Sequence, residues 1–181
     1  PAVWAAAMES AVALQAGDLQ AAHAQLAQQV DGAGEPPVLA AWLMQSDLQL
    51  LDGDGPAAVN TLRTALARHW PAHPALVAQL ARVQLLTDRV EEAQATLAGT
   101  SDASDGGLAL VRAELARRQG NGPAAIAAYT EATARMPGDA RVWQGLGSAH
   151  VEREETGPAR KALGQALALD AQTPGAQGER G

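Results

Sequence analysis

Two histidines four positions apart, His69 and His73, are the pair in this sequence that first suggests chemistry. On one continuous helix that spacing places both imidazoles on one face, as in helical zinc sites. Pro71 stands between them and Pro74 follows, so the helix that contains His69 is expected to end near that residue. No third ligand follows nearby. We therefore interpret the two histidines as surface residues at a turn and predict no metal site.

Paired carboxylates occur twice, at Glu91–Glu92 and Glu154–Glu155. Each pair stands at the start of a predicted helix, where the helix dipole favours negative charge without any catalytic role. The glycine-containing segments Gly53–Pro56 and Gly120–Pro123 follow no strand and contain no Lys, so they are predicted turns rather than phosphate-binding loops. No Ser has a His nearby that could act as its base. The sequence predicts no catalytic residues, no cofactor and no enzyme activity.

Composition narrows the class of protein further. The chain has 181 residues, 47% of them hydrophobic, with no Phe, no Cys and a net charge of −7. A single Lys, Lys161, among 13 basic residues argues against nucleic-acid binding. No apolar run approaches the ~20 residues that span a bilayer, so we expect no membrane insertion of this segment. The lack of Cys fits the cytoplasm and the periplasm equally.

The chain is a series of predicted helix pairs separated by Gly, Pro and Asp. In each second helix one Ala stands shortly after the turn, and these alanines are 36, 35, 32 and 34 residues apart: Ala22, Ala58, Ala93, Ala125 and Ala159. A small residue precedes each by twelve positions: Ser10, Ser46, Ala81, Ala113 and Gly147. A large apolar residue follows each by four: Leu26, Leu62, Leu97, Tyr129 and Leu163. Small residues permit two helices to approach closely where they cross, and the larger residue fills the adjoining gap.

A repeat near 34 residues with this pattern resembles the tetratricopeptide repeat family. The fifth repeat carries the resemblance best, through Trp143, Leu146, Gly147, Ala159, Leu163 and Ala166. The resemblance implies an all-α, right-handed α-solenoid of about ten helices, with first helices lining the concave face. We expect a repeat domain over residues 1–172 and a flexible tail over 173–181. The repeats are expected at roughly 3–36, 37–72, 73–105, 106–138 and 139–171.

The helical phase of the first helices then predicts which residues face a partner. The predicted partner-binding residues are Leu43, Asp47, Leu50, Leu51, Arg82, Leu85, Leu86, Leu110, Glu114 and Arg117. Asp47, Arg82 and Glu114 occupy equivalent places, so Arg82 is expected to reach either acid, or the three charges merely neutralise one another. Four leucines form a predicted apolar strip beside them: Leu50, Leu51, Leu85 and Leu86. The alternative is that these leucines pack between repeats.

These predictions favour a non-catalytic scaffold that binds an apolar, helical or extended peptide segment. The predicted concave face has no Lys and carries two acids, which disfavours an acidic peptide tail. The Ala-, Arg- and Gly-rich, Lys-poor composition suggests a bacterial origin. The resemblance then implies one module of a larger envelope-assembly or secretion protein, serving pili, cytochrome maturation or exopolysaccharide export, with the periplasm favoured. The alternative is an accessory domain that recruits substrate for an enzyme. A homodimer is a third possibility.

Overall fold

A computed structural model describes residues 38–100 and 105–171, together with residues 21, 24 and 26. Over residues 38–100 and 105–171 the chain forms eight helices and no strand: α1 (Leu39–Leu51), α2 (Gly55–Arg68), α3 (Pro74–Leu86), α4 (Val90–Ala98), α5 (Gly106–Arg118), α6 (Gly122–Arg135), α7 (Ala140–Glu152) and α8 (Thr156–Asp170). The predicted all-α fold is confirmed. The predicted tail over 173–181, and nearly all of the first predicted repeat, lie outside the described residues.

The chain divides into two compact units, unit 1 over residues 1–92 and unit 2 over residues 93–181, with the division inside α4. In unit 1, α2 packs against both α1 and α3, and α1 also contacts α3. Ser46, Ala58 and Leu62 are each fully buried, as the predicted close approach of α1 and α2 requires. The unit 1 core contains Trp42, Ala58, Val59, Leu62, Ala65, Leu76, Leu80 and Val83.

Unit 2 repeats this arrangement, because α6 packs against both α5 and α7, and α7 packs against α8. The small residue Ala113 shares a cluster with Ala125 and with the large apolar residue Tyr129, as the sequence pattern predicts. The Tyr129 ring also lies so close to the α7 backbone that a Cβ on Gly145 would overlap it. The core of unit 2 contains Ala113, Ala125, Tyr129, Leu146, Ala149 and Ala162.

Every described connection from a first helix to its second helix uses the same turn. The second residue after each first helix is left-handed: Gly53 at φ 79°, Asp88 at 60°, Gly120 at 70° and Glu154 at 60°. The next residue then donates its backbone N–H to a carbonyl five residues back: Asp54 to Gln49 at 2.8 Å, Arg89 to Gln84 at 2.7 Å, Asn121 to Ala116 at 2.9 Å and Glu155 to His150 at 2.9 Å. This Schellman geometry satisfies carbonyls that the end of a helix leaves unpaired.

The residue that closes two of these turns also starts the next helix. The Asp54 carboxylate accepts the Ala57 backbone N–H at 2.9 Å, and the Asn121 amide oxygen accepts the Ala124 N–H at 3.2 Å. A side chain of this kind replaces the missing hydrogen-bond partner of a helix N-terminus. A connection of three residues therefore both ends one helix and caps the next, which fixes how the two helices of a pair meet.

We expect Gly145→Ala to lower the free energy of unfolding by about 1–2 kcal/mol. Overpacking against the buried Tyr129 ring costs about 1–3 kcal/mol, whereas replacing a helical Gly by Ala returns at most about 1 kcal/mol. Gly164→Ala is the matched control, because a Cβ on Gly164 meets nothing within 4 Å. The control should raise the free energy of unfolding by about 0.5–1 kcal/mol. Urea denaturation followed by circular dichroism measures both, and equal effects of the two substitutions would contradict the packing described here.

Candidate functional site

The two histidines that first suggested chemistry do not share a helix. Helix α2 ends at Arg68, and His73 immediately precedes α3. The His69 ring lies 5.4 Å from the rings of both Trp42 and Trp70, measured between centroids. Among residues 38–100 and 105–171, no group of three His, Asp or Glu is placed to hold a metal ion. The aromatic contacts of His69 instead tie the α2–α3 connection to the core of unit 1.

On the surface of unit 1, a polar network joins α1 to α3. The Asp47 carboxylate accepts hydrogen bonds from the Arg82 guanidinium and from Gln79 Nε2 at 2.6 Å. Arg82 Nε donates in turn to Gln79 Oε1 at 3.0 Å. These three residues are called the Asp47 network, and the expected pairing of Asp47 with Arg82 is confirmed. Both charged side chains remain substantially exposed, so the ion pair contributes little to stability.

Two leucines stand one helical turn beyond the charged pair. Leu51 and Leu86 are the last residues of α1 and α3 and follow Asp47 and Arg82 by four positions each. The Leu51 side chain is 71% exposed and that of Leu86 is 58% exposed. Because α1 contacts α3, unit 1 presents two large apolar side chains beside one neutralised charge pair.

The apolar strip contains fewer exposed leucines than the sequence predicted. Leu85 is only 2% exposed, so a partner cannot reach it, and its inclusion in the strip is corrected here. Leu43 and Leu50 are half-buried and pack against the unit 1 core. Successive residues on a helix point about 100° apart, so Leu85 turns inward while Leu86 turns outward.

In unit 2 the corresponding surface is a saturated polar network. Arg117 Nη2 donates to Glu114 Oε1 at 2.7 Å, and Arg117 Nη1 donates to Glu152 Oε1 at 3.0 Å. Tyr129 Oη donates to Glu114 Oε2 at 2.9 Å, and Arg118 Nε donates to Glu114 Oε1 at 3.3 Å. These five residues are called the Glu114 network. Both carboxylate oxygens of Glu114 therefore accept hydrogen bonds from other residues of unit 2.

The network shifts the titration of its members. Partial burial alone would raise the pKa of Glu114, but the hydrogen bonds from Arg117, Tyr129 and Arg118 outweigh it and hold the pKa below its ordinary value. The hydrogen bond to Glu114 raises the pKa of Arg117. Burial, followed by the neighbouring Glu114 charge, raises the pKa of Tyr129. Glu114 therefore stays ionised and Tyr129 stays protonated across the physiological range.

Leu110 contributes more to core packing than to the exposed surface of unit 2. It is half-buried and packs against the clusters built around Ala113 and around Ala109. Of the three predicted partner-binding residues in unit 2, Leu110 is thus partly inside, whereas Glu114 and Arg117 are engaged in the Glu114 network. The predicted partner-binding residues of unit 2 therefore offer a partner a polar surface rather than an apolar one.

Two residues of these networks escaped the reasoning from sequence as hydrogen-bonding residues: Gln79 and Tyr129. Gln79 precedes Arg82 by three positions, which places both on one helix face, and this spacing was the available signal. Tyr129 was identified only as a packing residue, although a buried Tyr hydroxyl requires a hydrogen-bond partner. Glu152 lies 35 residues after Arg117, the spacing that also joins Asp47 to Arg82.

Comparison with known proteins agrees with the architecture. The tetratricopeptide repeat family model matches residues 49–115 and 116–178. Among curated proteins, none matches the sequence. Helices in the described residues include none long and apolar enough to cross a bilayer. Tetratricopeptide folds are scaffolds for protein–protein interaction.

Several solved structures share the fold. MamA from Desulfovibrio magneticus RS-1 is 17% identical over 91% of this chain and 93% of that chain, with a TM-score of 0.65. TTC0263, a thermophilic TPR protein in Thermus thermophilus, is 17% identical over 90% of this chain and 89% of that chain, at 0.73. In the APC/C hetero-tetramer Cut9-Hcn1 the match is 18% identical over 94% of this chain and 35% of that chain, at 0.77. At such identities the likeness shows the fold alone.

We expect Glu114→Gln to lower the free energy of unfolding by about 1–2 kcal/mol at neutral pH, since it weakens charge-assisted hydrogen bonds at a partly exposed site. The folded-state pKa of Glu114 is depressed. Its contribution is therefore present above the unfolded pKa of about 4.3 and is lost as the pH falls through the lower folded value. Urea denaturation between neutral and acidic pH should show the difference between wild type and variant shrinking on acidification. A difference that stays constant with pH would contradict this account of the Glu114 network.

Proposed function

The chain belongs to the tetratricopeptide repeat family, and we propose that it is a non-catalytic module that binds a protein or peptide segment on the first-helix surface of unit 1. The observation that carries the proposal is the exposure of Leu51 and Leu86 beside the Asp47 network. Large side chains of this kind, exposed together and bordered by polar residues, mark interaction surfaces.

The spacing of the two leucines suits a regular partner. Neighbouring packed helices lie about 8–10 Å apart, and α1 and α3 are neighbours. Seven residues of a helix advance about 10 Å. A helical partner with apolar residues seven positions apart would therefore bring one of them to Leu51 and another to Leu86. Half-buried Leu43 and Leu50 support this surface from below.

The charges of the surface favour a partner that is not acidic. Arg82 is already engaged by Asp47 and Gln79, so its positive charge is not free to attract carboxylates. No Lys lies in unit 1. We therefore propose an apolar helical or extended segment, recognised by side-chain burial and aligned by the polar network. For unit 2 by itself, the proposed contact residues for a partner segment of polar character are Leu110, Glu114 and Arg117.

We further propose that the chain serves a larger bacterial envelope-assembly or secretion protein, in pilus biogenesis, cytochrome maturation or exopolysaccharide export, with the periplasm as the favoured compartment. The Ala-, Gly- and Arg-rich composition, with a single Lys, supports a bacterial origin. The alternative is an accessory domain that recruits substrate to an enzyme. The sequence that adjoins this chain separates the two, since a membrane anchor or β-barrel supports the first and a catalytic domain supports the second.

A displayed library of random 16-residue peptides, selected on the wild-type chain, tests the binding surface without knowledge of the natural partner. We expect selected peptides to be apolar at positions seven apart and poor in Asp and Glu. The double variant Leu51→Glu/Leu86→Glu should weaken their binding by at least about 100-fold, because each buried anchor contributes about 1.5–3 kcal/mol. Fluorescence anisotropy measures both affinities.

The control is Leu167→Glu, which makes one substitution of the same type at a similarly exposed leucine of α8. Both variants alter exposed positions, so circular dichroism should show wild-type helix content in each. Selected peptides that bind the double variant as tightly as wild type would move the partner surface away from Leu51 and Leu86. Peptides lost equally by the control variant would do the same.

A further inference from the structure

The Asp47 network already binds one side-chain amide, that of Gln79. The Gln79 oxygen accepts a hydrogen bond from Arg82 Nε at 3.0 Å, and Gln79 Nε2 donates to Asp47 Oδ1 at 2.6 Å. Gln79 Nε2 also donates to Ser46 Oγ at 3.3 Å, and Ser46 is fully buried. Both N–H groups of Gln79 are thus in use, and its amide is held on the inner side of the Asp47–Arg82 pair.

The pair keeps a second donor and a second acceptor. Arg82 donates from Nε and Nη2, and Asp47 accepts both of its hydrogen bonds at Oδ1. Within residues 38–100, Arg82 Nη1 and Asp47 Oδ2 form no hydrogen bond. Each of these two atoms is two covalent bonds from a member of the Nη2–Oδ1 hydrogen bond, so they lie close together. The side chains of Arg82 and Asp47 are 39% and 54% exposed, so a partner can reach them.

A side-chain amide matches this free donor and acceptor better than other polar groups do. Its oxygen can accept from Arg82 Nη1 while its N–H donates to Asp47 Oδ2, as Gln79 does on the inner side. A carboxylate has no hydrogen for Asp47 Oδ2 and is repelled by its charge. An ammonium group has no acceptor for Arg82 Nη1 and is repelled in the same way. A hydroxyl group has one oxygen for both roles and cannot span two atoms.

The two exposed leucines determine where on a partner helix the amide must lie. Leu51 and Leu86 follow Asp47 and Arg82 by four residues each, so the free donor and acceptor lie about one helical turn to one side of the line that joins the leucines. On a helix with apolar residues at positions i and i+7, residues i+3 and i+4 lie midway between them, one on each flank. An amide at one of these two positions faces the pair.

We propose that the Asp47 network selects an apolar helical partner that carries a Gln or Asn midway between its two apolar residues. This inference rests on the proposed function, because the same helix must bind at Leu51 and Leu86. It adds the polar side chain that the surface recognises. A polar group that leaves water on binding must regain its hydrogen bonds, and the free donor and acceptor return both to an amide.

A displayed library of 16-residue helical peptides tests the proposal. Leucine is fixed at two positions seven apart, and every residue is allowed at the two positions midway between them. We expect selection on the wild-type chain to enrich Gln or Asn at one of the two. In a selected peptide, replacement of that amide by Glu, Lys or Leu should weaken binding at least about 10-fold, which corresponds to about 1.4 kcal/mol. Fluorescence anisotropy measures these affinities.

Asp47→Asn gives the sharpest test, because it replaces the free acceptor by a donor. The oxygen of the new amide can still accept from Gln79 and Arg82, so the network keeps its internal contacts. The Arg82 charge is then no longer neutralised, and the Glu peptide should bind more tightly than the Gln peptide. The control Asp170→Asn makes the same substitution at an exposed Asp of α8 and should leave the order of the peptides unchanged.

The outcomes separate this inference from the proposed function. Equal affinities of the Gln, Glu and Lys peptides for the wild-type chain, all lost in Leu51→Glu/Leu86→Glu, would overturn the amide site and leave the proposed function intact. A preference for Gln that Asp47→Asn does not change would also overturn the amide site. A library that yields no peptide for the wild-type chain, or peptides that bind the double leucine variant as tightly as wild type, would overturn both proposals.

Discussion

Close approach of the two helices in each pair is the constraint on which the rest of this structure depends. The helix axes can come together only where a small residue of the first helix meets the Ala of the second. At Gly147 the helices are already too close for a larger residue, because an added Cβ would lie 2.6 Å from Cγ of Leu163. The larger residue one turn later then fills the gap, as buried Leu62 and Tyr129 do. No charged residue fits such a position, so charge is confined to the outer surfaces.

The outer surfaces are therefore where the two units differ in chemistry. Unit 1 pairs Asp47 with Arg82 across neighbouring first helices and leaves Leu51 and Leu86 in solvent. Unit 2 surrounds Glu114 with donors, one of which, Tyr129, is itself a core residue. The same repeat framework thus supports an apolar surface in one unit and a polar network in the other, because the framework fixes only the positions that face inward.

Sequence periodicity located the helices and their buried positions well. Gly, Pro or Asp marks most of the turns between helices, although the turn between α7 and α8, Arg153–Glu155, contains none of the three. Periodicity could not predict which of Leu85 and Leu86 is buried and which is exposed. Adjacent residues differ by only about 100° around the helix axis, so the orientation of α3 decides which one is buried. Nor could periodicity identify Gln79 as a hydrogen-bond donor to Asp47, since that contact depends on side-chain rotamers.

The turns show a different limit of reasoning from sequence. Gly53 and Gly120 signal a left-handed residue, yet Asp88 and Glu154 adopt the same conformation without glycine. The hydrogen bond from the following residue, present at all four turns, stabilises that conformation even where the side chain opposes it. At Asp88 and Glu154 the geometry comes from the helix pair rather than from the residue that occupies the turn.

The number of residues that separates the two members of each ion pair along the sequence has a consequence for how the protein folds. The ion pairs Arg82–Asp47 and Arg117–Glu152 each join residues 35 positions apart, which is one repeat, and the Arg63–Glu92 pair joins residues 29 positions apart. Local contacts keep the entropy of loop closure small, and proteins dominated by such contacts fold quickly. A helix pair in either unit can therefore form first and serve as the template on which its neighbour condenses.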